Sequence, residues 1–273
     1  MTIRKLFPQG KPKAFNITYD DGVEQDIRFL ELLNRYRLKG TFNLNSALME
    51  TQFQWIHENG QAIRRLASEV AATLYEGHEI ASHTLSHPYM DNLSKEEILH
   101  QLSADKQNLE ALFSQEIKGF AVPFYYYSDL IAQCAKECGF TYARISEESG
   151  SFAPQRDYFH WQATVFHCSD ALEGLTHRFL ENQEELAIFQ IVGHSYDLDV
   201  EEKWDFMERL FALISAQEEI LPMTTIQIIE YLQAMEHAEI SPGHIQNNSQ
   251  QNLWFSIDGA VVEVKPSAGI SLL

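Results

Sequence analysis

Cysteine is scarce, basic side chains are outnumbered, and no long apolar run occurs. The three cysteines, Cys134, Cys138 and Cys168, are too few and odd in number to staple a disulfide scaffold. Cys134 and Cys138 lie four apart on an amphipathic pattern; small buried thiols are the plainer reading, metal or redox work the other. Lys and Arg number 20 against 39 Asp and Glu, a formal charge of −19. Such a chain repels phosphate backbones and anionic leaflets, so no nucleic-acid partner and no polybasic membrane attachment are expected. No stretch approaches the ~20 apolar residues of a spanning helix. The opening segment MTIRKLFPQGKPKAFN lacks the apolar centre of an export signal, and the expectation is a cytoplasmic protein with no membrane partner.

What is present is an ordinary globular composition, with 45% apolar and 22% charged residues over 273 positions. Short apolar runs alternate with longer segments of helical period, the pattern of a mostly parallel α/β sheet wrapped by helices. Strands are expected at Ala14–Tyr19, Thr41–Leu44, His78–Ser82, Ile117–Val122, Phe140–Ala143, Ala163–His167, Leu186–Val192 and Leu221–Thr224. Helices are expected over Val23–Leu38 with Gly40 as a stop, over Ala62–Tyr75, after a Ser94/Glu97 capping box, over Glu201–Gln217, and over Thr225–Met235. Beyond Pro242, Leu253–Ile257 and Ala260–Val264 flank Asp258-Gly259, a hairpin signal. Residues 1–239 thus read as the main domain and 240–273 as a small β appendage, either an end cover or a ligand-binding element.

Residues with chemistry follow several strand candidates directly. Tyr19 precedes Asp20-Asp21-Gly22, Ser82 precedes His83, Val122 precedes Pro123-Phe124, and Gly193 precedes His194. In a barrel of parallel strands these ends share one face, where active sites are built. Asp20 and Asp21 should point to opposite sides of an extended strand and so need different tasks, unless Asp-Asp-Gly is simply a turn. His83 and His87 are spaced i, i+4, which lets two imidazoles reach one ion. Pro88 disfavours a long helix there, so a single tight turn is expected. Two histidines alone are as readily core or surface residues; a carboxylate joining them makes a divalent-metal site with room for water.

Thr18-Tyr19-Asp20-Asp21-Gly22, His83-Thr84-Leu85-Ser86-His87 and Val192-Gly193-His194 resemble, in order and spacing, motifs of the polysaccharide deacetylase family, the NodB-homology carbohydrate esterases. Lys39-Gly40-Thr41-Phe42 and Gly77-His78-Glu79-Ile80 resemble that family too, and the likeness spans roughly residues 14–235. It implies a distorted (β/α)7 barrel. It implies that Asp21, His83 and His87 bind a divalent metal, zinc, that Asp20 is the general base on a water, and that His194 is the general acid. It also implies a backbone N–H near Phe124 as oxyanion donor.

Two departures stand out. Where the family has Arg-x-Pro-aromatic, this chain has Ala121-Val122-Pro123-Phe124, and Arg144 after the next strand is a candidate replacement. Where the family has Asp-x-x-Asp-Trp, the nearest stretch is Asp157-Tyr158-Phe159-His160-Trp161, with His160 at the second aspartate. The aromatic run after Pro123, including Tyr125, reads equally as packed core or as a wall that stacks sugar rings. The expected function is metal-dependent removal of acetyl groups from N-acetylated sugars. The alternatives are O-acetyl ester or other C–N hydrolysis at the same site, a carbohydrate-binding protein without turnover, and a structural metal site.

Overall fold

The computed structural model describes residues 1–50 and 52–271. Along strand β1, Lys13–Asp20, residues alternate in character: Asn16, Thr18 and Asp20 share one face, Phe15, Ile17 and Tyr19 the other. The aromatic and aliphatic face packs on Phe29, Leu30 and Leu33 of the helix Asp26–Arg35, and the Tyr19 ring stacks on Phe29 with centroids 4.2 Å apart. The polar face turns inward.

Eight further strands join β1: β2 Gly40–Leu44, β3 Glu79–Ser82, β4 Gly119–Ala121, β5 Tyr142–Glu148, β6 Trp161–Ala163, β7 Val165–Phe166, β8 Ala187–Gly193 and β9 Ile220–Pro222. Their order is β7-β8-β1-β2-β3-β4-β5-β6, with β9 beside the first half of β1, and the pairings are parallel. Closure comes from one segment. Ala163 of β6 pairs with Glu148 on β5, Val165 of β7 pairs with Ile191 on β8, and Thr164 between them donates its N–H to the Gln190 carbonyl at 2.9 Å. Counting 161–166 as one stave, β1 to β5, this segment and β8 make seven around the axis. This is the distorted (β/α)7 barrel expected.

Below the strand ends the interior carries a network of paired polar side chains. The Trp161 indole donates to Gln190 at 2.7 Å, and the Gln190 amide donates to Asn16 at 2.6 Å and Thr225 at 2.9 Å. Thr225 meets Thr41 at 2.9 Å, and Thr41 donates to Glu79 at 2.8 Å. The helix Thr225–Glu236 enters from beneath, capped by Thr224 with Gln227. The Ser94/Glu97 capping box forms as the sequence predicts.

Residues 62–75 correct the helical reading. Ala62–Arg64 is a strand paired antiparallel with Gln54–Ile56, and only Ser68–Leu74 is helical. Backbone bonds from Arg65 N to Phe53 O and from Leu66 N to Gly22 O, each 2.9 Å, hold the first part extended. The apolar spacing there was coincidental: Ile63 and Leu66 are buried, whereas Val70 is 45% exposed. Gly40 opens β2 instead of ending a helix. Of the two cysteines spaced four apart, Cys134 is buried and Cys138 half-buried, and Cys168 is exposed.

The hairpin Leu253–Ile257/Ala260–Val264 forms as read from the sequence, and Ile3–Leu6, which the sequence reading missed, adds as a third strand. Ala238–Ser241, His244–Asn247 and Gly269–Ser271 form a second small sheet; Leu272 and Leu273 lie outside the described residues. Phe7, Tyr231, Ile245, Leu253 and Phe255 share a core with Ala14, Tyr142 and Trp161, so these sheets cover the end of the barrel where the strands begin.

Candidate active site and metal centre

Asp20 is the last residue of β1, and Asp21 follows with φ +85°. That left-handed turn breaks the alternation of an extended strand. Both carboxylates therefore line one cavity of about 180 Å³, where the sequence analysis set them on opposite sides; Asp is among the residues that tolerate this conformation. His83 follows the end of β3, and the chain turns through Thr84 (φ +69°) to His87 (φ +56°). A β-branched residue at such a φ is strained by roughly 1–3 kcal/mol and persists only where its surroundings fix it. Here the Asn45 amide donates to the Thr84 carbonyl at 2.9 Å, and Thr84 Oγ1 accepts the His87 N–H at 3.1 Å. The result is the single tight turn predicted, presenting both imidazoles to the cavity.

One donor atom from each of Asp21, His83 and His87 lies within 4.8 Å of the other two. The His83 Nδ1–H donates to the Ala121 carbonyl at 2.9 Å, which leaves Nε2 bare toward the cavity. Burial holds His83 neutral, with its pKa lowered to about 4, and burial likewise lowers that of His87. Neutral imidazoles are what a cation requires. Asp21 Oδ1 is buried without a hydrogen-bond partner, although the Arg65 guanidinium lies 3.0 Å away in an ion-pair contact and His87 Nε2 lies 3.7 Å away. Burial alone would raise the Asp21 pKa; the Arg65 charge, joined by that of His194, outweighs it and holds the carboxyl well below the usual range. An ionised oxygen that accepts no hydrogen bond, facing the bare His83 Nε2 and the neutral His87 ring, fits a divalent cation.

Asp20 is gripped differently. Arg144 Nη2 lies 2.5 Å from each carboxylate oxygen, and Asn43 Nδ2 donates at 2.7 Å. Desolvation pushes its pKa up, and Arg144 more than reverses this. His194 directs Nδ1 to Asp197 Oδ2 at 2.9 Å and stacks on Tyr196, the planes 20° apart. Burial alone would lower the His194 pKa; the bond to Asp197 and the charges of Asp21, Asp197 and Asp20 raise it to about 9.

Residues 8–143 match the model of the family described as polysaccharide deacetylase. The chain belongs to the polysaccharide deacetylase family. Over 130 residues it is 29% identical to the peptidoglycan-N-acetylglucosamine deacetylase of Bacillus cereus, covering 47% of this chain and 54% of that protein, so the chain spans about half the length of this curated relative. Among solved structures, the Xyl-CE4 domain of a multidomain xylanase from the hindgut metagenome of Trinervitermes trinervoides is similar with TM-score 0.53 and 16% identity, over 82% of this chain and 92% of that one. Peptidoglycan deacetylase PdaC from Bacillus subtilis gives TM-score 0.52 and 17% identity, over 85% and 96%. At such identities the structures speak to the fold, and they agree with the barrel.

Against the family pattern both departures now have a physical account. Ala121 on β4 is the direct cross-strand partner of Arg144 on β5. The guanidinium absent from one strand therefore arrives from the residue beside it, and it grips Asp20. The stretch Asp157–Trp161 is no counterpart of the fourth motif. Asp157 caps the Phe159 N–H at 3.0 Å, His160 packs on Tyr127, and Trp161 belongs to the interior network. The carboxylate on His194 is Asp197, three residues later, which sequence reasoning missed along with Arg65, Asn43 and Asn45. A local signal existed only for Asp197, an acid one helical turn beyond a candidate histidine.

The cavity wall includes Val122, Phe124, Tyr125, Ser146, Phe166 and Tyr196. Phe124 (φ +58°) stacks on Tyr89 with centroids 3.8 Å apart and sets its ring 4.5 Å from His87. Tyr125 is 85% exposed at the rim, so this part of the aromatic run is not packed core. Among the described residues no helix is long and apolar enough to cross a membrane.

Proposed function

We propose that this chain removes acetyl groups from N-acetylated sugars, with Asp21, His83 and His87 holding a zinc ion. The observation that carries the reading is the buried Asp21 Oδ1, which accepts no hydrogen bond, set against two neutral imidazoles in one cavity. A divalent ion held there supplies Lewis acidity toward the acetyl carbonyl and acidifies a water. Asp20, ionised and fixed by Arg144 and Asn43, accepts the proton of the attacking water. The Phe124 backbone N–H donates to the oxygen that becomes negative. With Nδ1 committed to Asp197, His194 presents Nε2 to the cavity and delivers a proton to the departing amine. Its raised affinity keeps that proton available at neutral pH.

About 180 Å³ is below the ~300–1,000 Å³ of pockets that enclose whole ligands. The cavity therefore takes the acetamido group while the sugar ring lies across the rim, with Tyr125 as an apolar platform. The name of the Bacillus cereus relative accords with an N-acetylated sugar substrate. Residues 240–271 lie at the opposite end of the barrel from this mouth and take no part in the chemistry. The test is metal analysis of the purified chain together with acetate release from N-acetylglucosamine oligomers and acetylxylan. Bound zinc with release from the former is expected. A chain that binds zinc but frees acetate from neither substrate would refute the assignment.

A further inference from the structure

We propose that His167 and Tyr19 are positioning residues that fix Asp197, and through it the His194 imidazole, from the outer side of the barrel wall. The proposal rests on the reading of His194 as the proton donor. His167 follows β7 and is 1% exposed, and Tyr19 on the outward face of β1 is fully buried. The Tyr19 hydroxyl meets His167 Nδ1, His167 Nε2 lies 3.3 Å from Asp197 Oδ2, and the same oxygen receives His194 Nδ1 at 2.9 Å. A row of four side chains thus runs from the helix-facing layer to the cavity.

Hydrogen-bond inventory fixes the protons. An ionised carboxylate only accepts, so both ring nitrogens facing Asp197 Oδ2 must carry hydrogen. Burial keeps His167 neutral. Its Nδ1 is then a bare acceptor, and the Tyr19 hydroxyl donates to it. The opposite arrangement would aim a lone pair at the carboxylate and strand the phenolic proton in the core. His167 therefore has one tautomer, which sets where Asp197 Oδ2 sits. Asp197 needs that support, because it opens a helix of only four residues, Asp197–Val200, and its side chain is 20% exposed.

Gly193 carries an independent trace of the same arrangement. A Cβ at Gly193 would fall 2.4 Å from His167 Nδ1 and 2.6 Å from its Cε1. The φ of Gly193 is not in the left-handed region, so clearance for the His167 ring, not backbone freedom, is what a side chain would violate. The Gly-His pair at the end of β8 is thus one unit: His194 faces the cavity, and Gly193 makes room for the group that steadies it.

The test has two arms on the full chain. In the zinc-loaded protein, His167→Phe should lower kcat by about 10- to 100-fold with KM within about two-fold, the range seen when a group behind a ligand or catalytic residue is removed. Tyr19→Phe should do the same more weakly. His167→Gln, whose amide retains a donor toward Asp197, should recover most of the loss. In wild-type protein, ¹⁵N NMR of the histidine rings should show His167 neutral and protonated at Nε2, and this arm needs neither turnover nor a folded variant. A proton on Nδ1, or unchanged kcat in His167→Phe, overturns the proposal. If wild type frees no acetate, the functional reading fails, and the tautomer still decides the hydrogen-bond row.

Discussion

Asp20 and Asp21 at one end of the barrel and Glu79 at the other are comparably buried carboxylates, 6%, 7% and 8% exposed, yet they ionise in opposite senses. Glu79 receives only neutral donors: Tyr142 OH and Thr41 Oγ1, each at 2.8 Å, and the Ile226 N–H at 2.9 Å. Desolvation prevails there and raises its pKa to about 7. Asp105, held by Ser82 Oγ at 2.6 Å and the Ser46 N–H at 2.7 Å, behaves alike and rises to about 6. Asp20 and Asp21 each touch a buried guanidinium, Arg144 or Arg65, and both are lowered. Dipoles alone do not offset the loss of water around a charge; a full opposite charge at contact does. The two aspartates proposed for the chemistry thus each keep their charge through a buried guanidinium, whereas Glu79 and Asp105 meet neutral donors alone.

The sharpest way to break the contrast is at Asp20. Asp20→Asn should lower acetate release by about 10²- to 10⁴-fold, the range for a general base, with zinc content unchanged; loss of zinc together with activity would move Asp20 into the ligand set. Arg144→Met leaves Asp20 buried and unpaired. It should cost about 3–5 kcal/mol in urea unfolding at neutral pH, and adding Asp20→Asn should recover much of that. If the double variant is no more stable than Arg144→Met, the guanidinium acts through packing.

Glu79→Gln sharpens the other side. Folded Glu79 keeps its proton up to about pH 7, and the unfolded chain only to about 4.5. Between these values the folded state binds more protons, so stability falls as pH rises through the window, by about 3 kcal/mol at most. Unfolding free energies measured from pH 4 to 8 should lose this descent in Glu79→Gln. Asp105→Asn should remove a smaller component confined to the interval from 3.8 to about 6. The buried His78 and His83 add a rise of their own over the same interval, so the readout is the difference between wild type and variant; a difference that does not fall across its window would mean the acid is charged in the fold.

Much of this was legible along the chain. The Asp-Asp-Gly turn, the paired histidines and the late Gly-His stand at strand ends because period-two strands and the punctuation between them are local. Arg144 was legible as a candidate because it stands after the next strand from the Pro123-Phe124 pair; its contact with Asp20 depended on the pairing of β4 with β5. The strand at 62–64 was hidden because its partner at 54–56 and its bond to Gly22 compete with a helical period that the residues also satisfy. Asp197 was passed over because a coincidental match at 157–161 occupied its role. The network of Asn16, Thr41, Glu79 and Gln190 was not legible along the chain, because only the barrel joins residues so far apart in sequence.

The amino-acid order by itself determined where strands end and which reactive groups stand there, because those features follow from neighbours within a few residues. Tertiary structure alone decided which guanidinium neutralises which carboxylate, that Asp21 turns into the same cavity as Asp20, and that Thr164 closes the barrel. These depend on register between strands separated by tens of residues and on the desolvation that closure imposes, and neither is encoded in local spacing.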